Sequence, residues 1–220
     1  MRLGYFGGTF DPPHLGHLAV AQAAADAFSL ERVLLVPTGM QPLRPVRPLA
    51  PYANRLAMVS LLCSHDARLH ASDLEAPRQP PTPNYTIDTL QALRAAEADA
   101  ELYVIVGADA FQSIGQWRSP ELLLSVADWI VVTRPRMAGL VPASEQIVGL
   151  SPPQRGRIHT LQTVDHPASA TAIRATLLGH DSAQEIDLGG MLPPEILTYI
   201  QQHGLYGAPV SFEGDNSRVD

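Results

Sequence analysis

Short apolar runs, each stopped by glycine or proline, alternate along this chain with longer stretches that mix apolar and polar residues. The first run, Leu3-Gly4-Tyr5-Phe6, closes at Gly7-Gly8 and reads as a buried strand ending in a tight turn. An alanine-rich stretch over 15–28 reads as a helix, and RVLLVP at 32–37 as a second strand stopped by Pro37. Strand, helix, strand is a βαβ unit and implies parallel pairing. The pattern recurs, with helices expected over 52–65 and 85–98 and strands over 67–72, 102–107, 128–135 and, more weakly, 157–162. The expected class is α/β: a doubly wound parallel sheet with helices on both faces and right-handed crossovers. Two closing helices, over 169–178 and 193–203, each have glycine just past the end, at Gly179 and Gly204. They form a small helical C-terminal part, about 168–206, of one domain spanning 1–206. Residues 207–220 are polar and rich in turn formers, and read as a flexible tail.

Composition narrows the function classes. With 220 residues and 45% apolar content the chain can build a sizeable core. A net charge of -7 argues against a general nucleic-acid surface, though a local basic pocket could still hold a small phosphorylated ligand. The chain has no lysine, so arginine supplies every permanent side-chain cation. The single cysteine, Cys63, lies in an apolar stretch and reads as a buried structural thiol. The start of the chain is too short in apolar residues, and too broken by glycine, for a signal peptide, and no run approaches a bilayer span. The expectation is a cytoplasmic protein with no membrane partner.

The strongest chemical signal is GGTFDPPHLGH, residues 7–17. Gly7 and Gly8 let the backbone turn beside a ligand. Thr9 and Phe10 offer backbone N–H groups, and the amino end of the following helix favours anions. His14 and His17 share one side of the first turn, and Gly16 between them leaves space. The result is a cup of amides and imidazoles suited to a polyphosphate. It is neither a P-loop nor a dinucleotide-binding glycine motif, and without HExxH or a nearby cysteine a zinc reading is weak.

A second signal is SATAIRATL, residues 169–177. Ser169 or Thr171 can cap a helix whose amino end faces anions, and Arg174 lies on its first turns. An ordinary capped helix with a surface arginine is an equal alternative at this point. A third group follows the strand at 102–107: Gly107 and Asp109 stand at the binding edge, and Asp109 could bond a ribose hydroxyl or cap the next helix. Trp117 could stack on a flat ring or simply cover the core. Tyr85 and Thr86 open a helix whose amides suit a carboxylate.

GGTFDPPHLGH closely resembles the T/HxGH signature of the nucleotidyltransferase superfamily, and SATAIR its carboxyl-terminal ISSTxIR pattern, with Ala170 where serine is common. The resemblance implies a Rossmann-like nucleotidyltransferase fold, with His14, His17 and Arg174 catalytic. It also implies that Gly7, Gly8, Thr9, Phe10, Gly16, Gly107, Asp109, Ser169 and Thr171 join them around ATP. The PxYT…TL, GAD and QW elements and the LPPEILTYIQQHGLY ending resemble the bacterial nicotinate-nucleotide adenylyltransferase family over about residues 1–206. That resemblance implies AMP transfer from ATP to nicotinate mononucleotide, with Mg2+ carried mainly on ATP phosphates and no metal ligands from the protein. Tyr85, Thr86 and Trp117 would hold nicotinate, with Asp109, Arg44 and Arg134 also at the acceptor. A homo-oligomer stays open.

One departure stands out. Where the family often has a PPHK or PPHR segment, this chain has PTGMQPLRP, with Gln41 replacing proline and Leu43 replacing histidine. Arg44 survives as a basic group able to meet the acceptor phosphate. The competing readings are an enzyme of the same superfamily with nicotinamide mononucleotide or phosphopantetheine as acceptor, and a catalytically silent nucleotide-binding regulator. A fragment of a class I aminoacyl-tRNA synthetase would need a KMSKS-like loop, which a chain without lysine lacks.

Overall fold

The computed structural model describes residues 1–43, 47–133, 151–162, 166–179 and 188–208. Six strands, β1 (Arg2–Gly8), β2 (Arg32–Pro37), β3 (Leu69–Ala71), β4 (Glu101–Gly107), β5 (Asp128–Thr133) and β6 (Ile158–Gln162), form one sheet in the order β3-β2-β1-β4-β5-β6. Every pairing is parallel. The order reverses between β1 and β4, so the carboxyl ends of these two central strands flank the crevice where open α/β sheets bind ligands.

Alternation along each strand gives both faces a core. In β4, Leu102, Val104 and Val106 point to one face while Tyr103 and Ile105 point to the other. In β5, Trp129 and Val131 oppose Ile130. A parallel sheet must be covered on both sides, which is why its strands read as nearly continuous apolar runs. One face packs against α1 (Leu15–Phe28), α2 (Tyr52–Cys63), α7 (Ala170–Leu177) and α8 (Pro194–Gln202). The other packs against α3 (Thr86–Ala96), α4 (Ala108–Phe111) and α5 (Pro120–Val126). Trp129 is fully buried there and donates its indole N–H to the Leu123 carbonyl at 3.2 Å.

The doubly wound α/β expectation is met, with strand and helix positions close to those read from the pattern. The pattern missed three short helices, α4, α5 and α6 (Pro152–Arg155). For α5 the signal was present, because Ser119 precedes Pro120 at the first helical position. The strand expected over 128–135 is described to Thr133. Gly179 (φ +69) and Gly204 (φ +57) adopt the left-handed conformation after α7 and α8, as the stop signals imply. Cys63 is buried, and burial pushes its thiol up to about 12. Among the described residues, no helix is long and apolar enough to cross a membrane.

Candidate functional site

The loop after β1 and the start of α1 form the centre of the site. Gly7 has no room for a side chain: a Cβ there would lie 2.3 Å from the Tyr5 hydroxyl. That hydroxyl is fixed, donating to Oε1 of buried Glu75 at 2.5 Å, and Thr89 donates to the same oxygen at 3.0 Å. Burial first, then the neighbouring Glu75 charge, raises the Tyr5 pKa well above its ordinary value, so the hydroxyl keeps its proton. Phe10 turns through a positive φ of 49° and buries its ring in the core. The Phe10 ring packs at a tilt against His17, with ring centroids 4.8 Å apart.

His14 is the N-cap residue of α1, and its imidazole stacks on that of His17 at 3.8 Å. The backbone N–H of His14 donates to Nδ1 of His17 at 3.2 Å. Because Nδ1 accepts, a neutral His17 carries its proton on Nε2, which makes that atom a donor. Burial, and then the adjacent His14, hold the His17 pKa well below 6.5. The space at Gly16 is needed: a Cβ would stand 3.0 Å from His14 and 3.4 Å from the Ala168 carbonyl. One amide at the amino end of α1 is already taken, since Leu15 N–H donates to Met191 O at 2.9 Å.

The second motif meets the first across the chain. Arg174 Nη1 donates to the Asp11 carbonyl at 2.6 Å, inside GGTFDPPHLGH, and Nη2 reaches Thr171 Oγ1 at 3.4 Å. Ser169 occupies the N-cap position of α7 but makes no side-chain capping bond.

A cleft of roughly 480 Å3 opens beside these loops at the carboxyl ends of β1 and β4. Gly7, Gly8, Thr9, Tyr85, Thr86, Gly107, Asp109 and Trp117 all line it. Gly107 faces open space, with nothing within 4 Å of a Cβ placed there. Asp109 is exposed in the first turn of α4. Trp117 is half-buried; its edge packs on Trp129 at 6.0 Å and its indole N–H donates to Ser113 at 3.3 Å. His14, His17, Ser169, Thr171 and Arg174 form a separate group beside the Asp11 loop and do not line this cleft. Arg44 and Arg134 lie outside the described residues.

Four features escaped the sequence reading. Arg55, 1% exposed within α2, donates to Thr9 O at 2.6 Å, Thr38 O at 2.9 Å and Ala50 O at 3.3 Å, pinning the loop after β1 to both ends of the connection between β2 and α2. Burial lowers its pKa more than Asp11, the next cause, raises it. The Asp11 carboxylate accepts from Leu49 N–H, Ala50 N–H and the Tyr206 hydroxyl, tying the motif to the loop before α2 and to the end of the described chain. Arg118 stands over the Tyr85 ring at 4.7 Å and lines the cleft. The Tyr5–Glu75 pair forms part of the cleft wall. Among the described residues, no three His, Cys, Asp or Glu side chains gather where they could hold a metal ion.

This arrangement has known relatives. The cytidylyltransferase-like family matches residues 5–176. A protein of Solibacter usitatus named "Probable nicotinate-nucleotide adenylyltransferase" is 38% identical over 207 residues, covering 94% of this chain and 100% of the relative. A protein of the same name from Synechococcus sp. is 38% identical over 213 residues, covering 94% and 96%. Among solved structures, a Plasmodium falciparum nicotinic acid mononucleotide adenylyltransferase complexed with NaAD shares the fold, with a TM-score of 0.75 at 16% identity over 96% of this chain and 99% of the other. The same protein complexed with APC gives a TM-score of 0.74 over the same shares. The chain belongs to the nicotinate-nucleotide adenylyltransferase family of cytidylyltransferase-like proteins.

Proposed function

We propose that this protein transfers the adenylyl group of ATP to nicotinate mononucleotide, releasing pyrophosphate and forming nicotinate adenine dinucleotide for NAD synthesis. The observation that carries the reading is the pairing of two stacked imidazoles and a tethered arginine with an adjoining cleft that ends in Tyr85, Thr86 and Trp117. The acceptor's phosphate oxygen attacks the α-phosphorus of ATP, and the bond to pyrophosphate breaks on the opposite side. No covalent enzyme intermediate is needed, so catalysis is positioning and charge stabilisation.

His17 presents Nε2–H to a phosphate oxygen of the departing group, with its ring held by His14 and Phe10. Arg174 adds a permanent charge beside the same loop. Gly7, Gly8, Thr9, the Phe10 amide, Gly16, Ser169 and Thr171 shape the surroundings of the triphosphate, and Gly107 and Asp109 receive the nucleotide sugar. At the other end, Trp117 meets the flat pyridine ring, while Thr86 and the free amides of the α3 start meet its carboxylate. Arg44 and Arg134 belong to the acceptor side. Magnesium brought in on the ATP phosphates would supply further neutralisation of the charge on pyrophosphate, beside His17 and Arg174. Residues 1–206 act as one unit in the cytoplasm on small molecules rather than nucleic acid, and gel filtration reads whether they work as a homo-oligomer.

His17→Ala tests the role of the imidazole pair. The expected result is a loss of turnover on the order of a hundredfold or more with an unchanged circular dichroism spectrum. Near-normal turnover would remove His17 from the mechanism.

A further inference from the structure

The phosphate of the acceptor needs donors at the reacting end of the cleft. Among the described residues lining it, Arg118 is the only cation, and it lies over Tyr85 at the ring end. Beside Gly7–Thr9, at the other end, the described donors that line the cleft are neutral.

The segment after β2 brings one there. Thr38 N–H bonds Gly8 O at 2.8 Å, Gly39 N–H bonds Glu75 O at 2.8 Å, and Met40 exchanges two bonds with Asn84, each 2.9 Å. These ties fix the backbone on both sides of the cleft. They leave Gln41 between Thr9, on the phosphate loop, and the turn that leads into Tyr85 and Thr86. Gln41 Nε2 donates to Thr9 Oγ1 at 2.8 Å, and both side chains line the cleft. Since Thr9 Oγ1 accepts that proton, its own O–H is left to donate elsewhere, as is the second N–H of Gln41. On the assignment above, which sets the ring against Trp117 and the triphosphate beside His14 and His17, the phosphate of the mononucleotide falls to this pair in the same cleft.

Building on the acceptor assignment above, we infer that Gln41, oriented by Thr9, is a binding residue for the phosphate of the acceptor mononucleotide. The side-chain amide and the threonine hydroxyl together give two neutral donors to a dianion.

The test compares two probes by calorimetry: nicotinate mononucleotide and nicotinate riboside, which lacks the phosphate. Gln41→Glu sets a carboxylate against the phosphate. It should weaken the mononucleotide by about tenfold or more while changing the riboside by less than about twofold. Gln41→Ala adds no charge, and should show the same selectivity with a smaller loss; it carries the comparison should Gln41→Glu fail to fold. Equal weakening of both probes, or of neither, overturns the inference. Failure of the wild-type protein to bind the mononucleotide or release pyrophosphate with it would instead overturn the underlying acceptor assignment.

Discussion

Arg55 gives the sharpest test of how the site is built, because its guanidinium is almost fully buried and bonds only backbone carbonyls. Arg55→Ala removes two short charge-assisted bonds, to Thr9 and Thr38, and a longer one to Ala50. Bonds of the short kind contribute about 1.5–3 kcal/mol each, so the two bound the bonding loss at about 3–6 kcal/mol. Burial of the charge, seen in the lowered pKa, offsets part of this. The net expectation is about 3–5 kcal/mol, since the variant leaves three backbone carbonyls without their donor. For a chain of this size each kcal/mol moves the melting temperature by roughly 2–4 °C, which gives a fall of about 6–20 °C. Arg55→Lys should fall between, since one ammonium cannot span three carbonyls as a planar fork does. Scanning calorimetry of the three proteins reads the effect directly. An Arg55→Ala protein melting within about 2 °C of wild type would refute the view that Arg55 holds the loops together.

Two further perturbations follow from the geometry. Gly7→Ala places a methyl 2.3 Å from a hydroxyl locked onto Glu75, so it should lower stability by about 1–3 kcal/mol in urea unfolding; an unchanged midpoint would show that Tyr5 moves freely. The His17 pKa lies below 6.5 in the folded protein, so between that lowered pKa and 6.5 the unfolded chain binds the extra proton and the fold loses stability as pH falls. Melting temperatures from pH 8 down to 5.5 should therefore decline less in His17→Asn than in wild type; parallel profiles would contradict the assignment.

The sheet was legible because burial on both faces writes itself as apolar runs, as in RVLLVP and LYVIVG, and because glycine and proline mark where they stop. The loop after β1 was legible because Gly7, Gly8, His14, Gly16 and His17 are constrained by close neighbours in sequence. Arg55 was not, because an arginine inside YANRLAMV looks like a solvent-facing position; its burial comes from Thr9, Thr38 and Ala50, which reach it from the loop after β1 and from the two ends of the connection between β2 and α2. Asp11 was visible within the motif, but its partners Leu49, Ala50 and Tyr206 are distant in sequence. Gln41 stood out only as a departure from the family pattern, and its contact with Thr9 needed the loop path. Trp117 could be read either as a core residue or as a ring platform, and it is half-buried, packed on Trp129 while lining the cleft.

Pyrophosphate release from ATP and magnesium, with nicotinate mononucleotide, nicotinamide mononucleotide and phosphopantetheine offered in parallel, tests the central claim most directly. The account predicts strong preference for nicotinate mononucleotide, with Leu43 and Gln41 in place. Preference for either other acceptor would contradict the assignment of the cleft, and no release with any of the three would contradict catalysis itself.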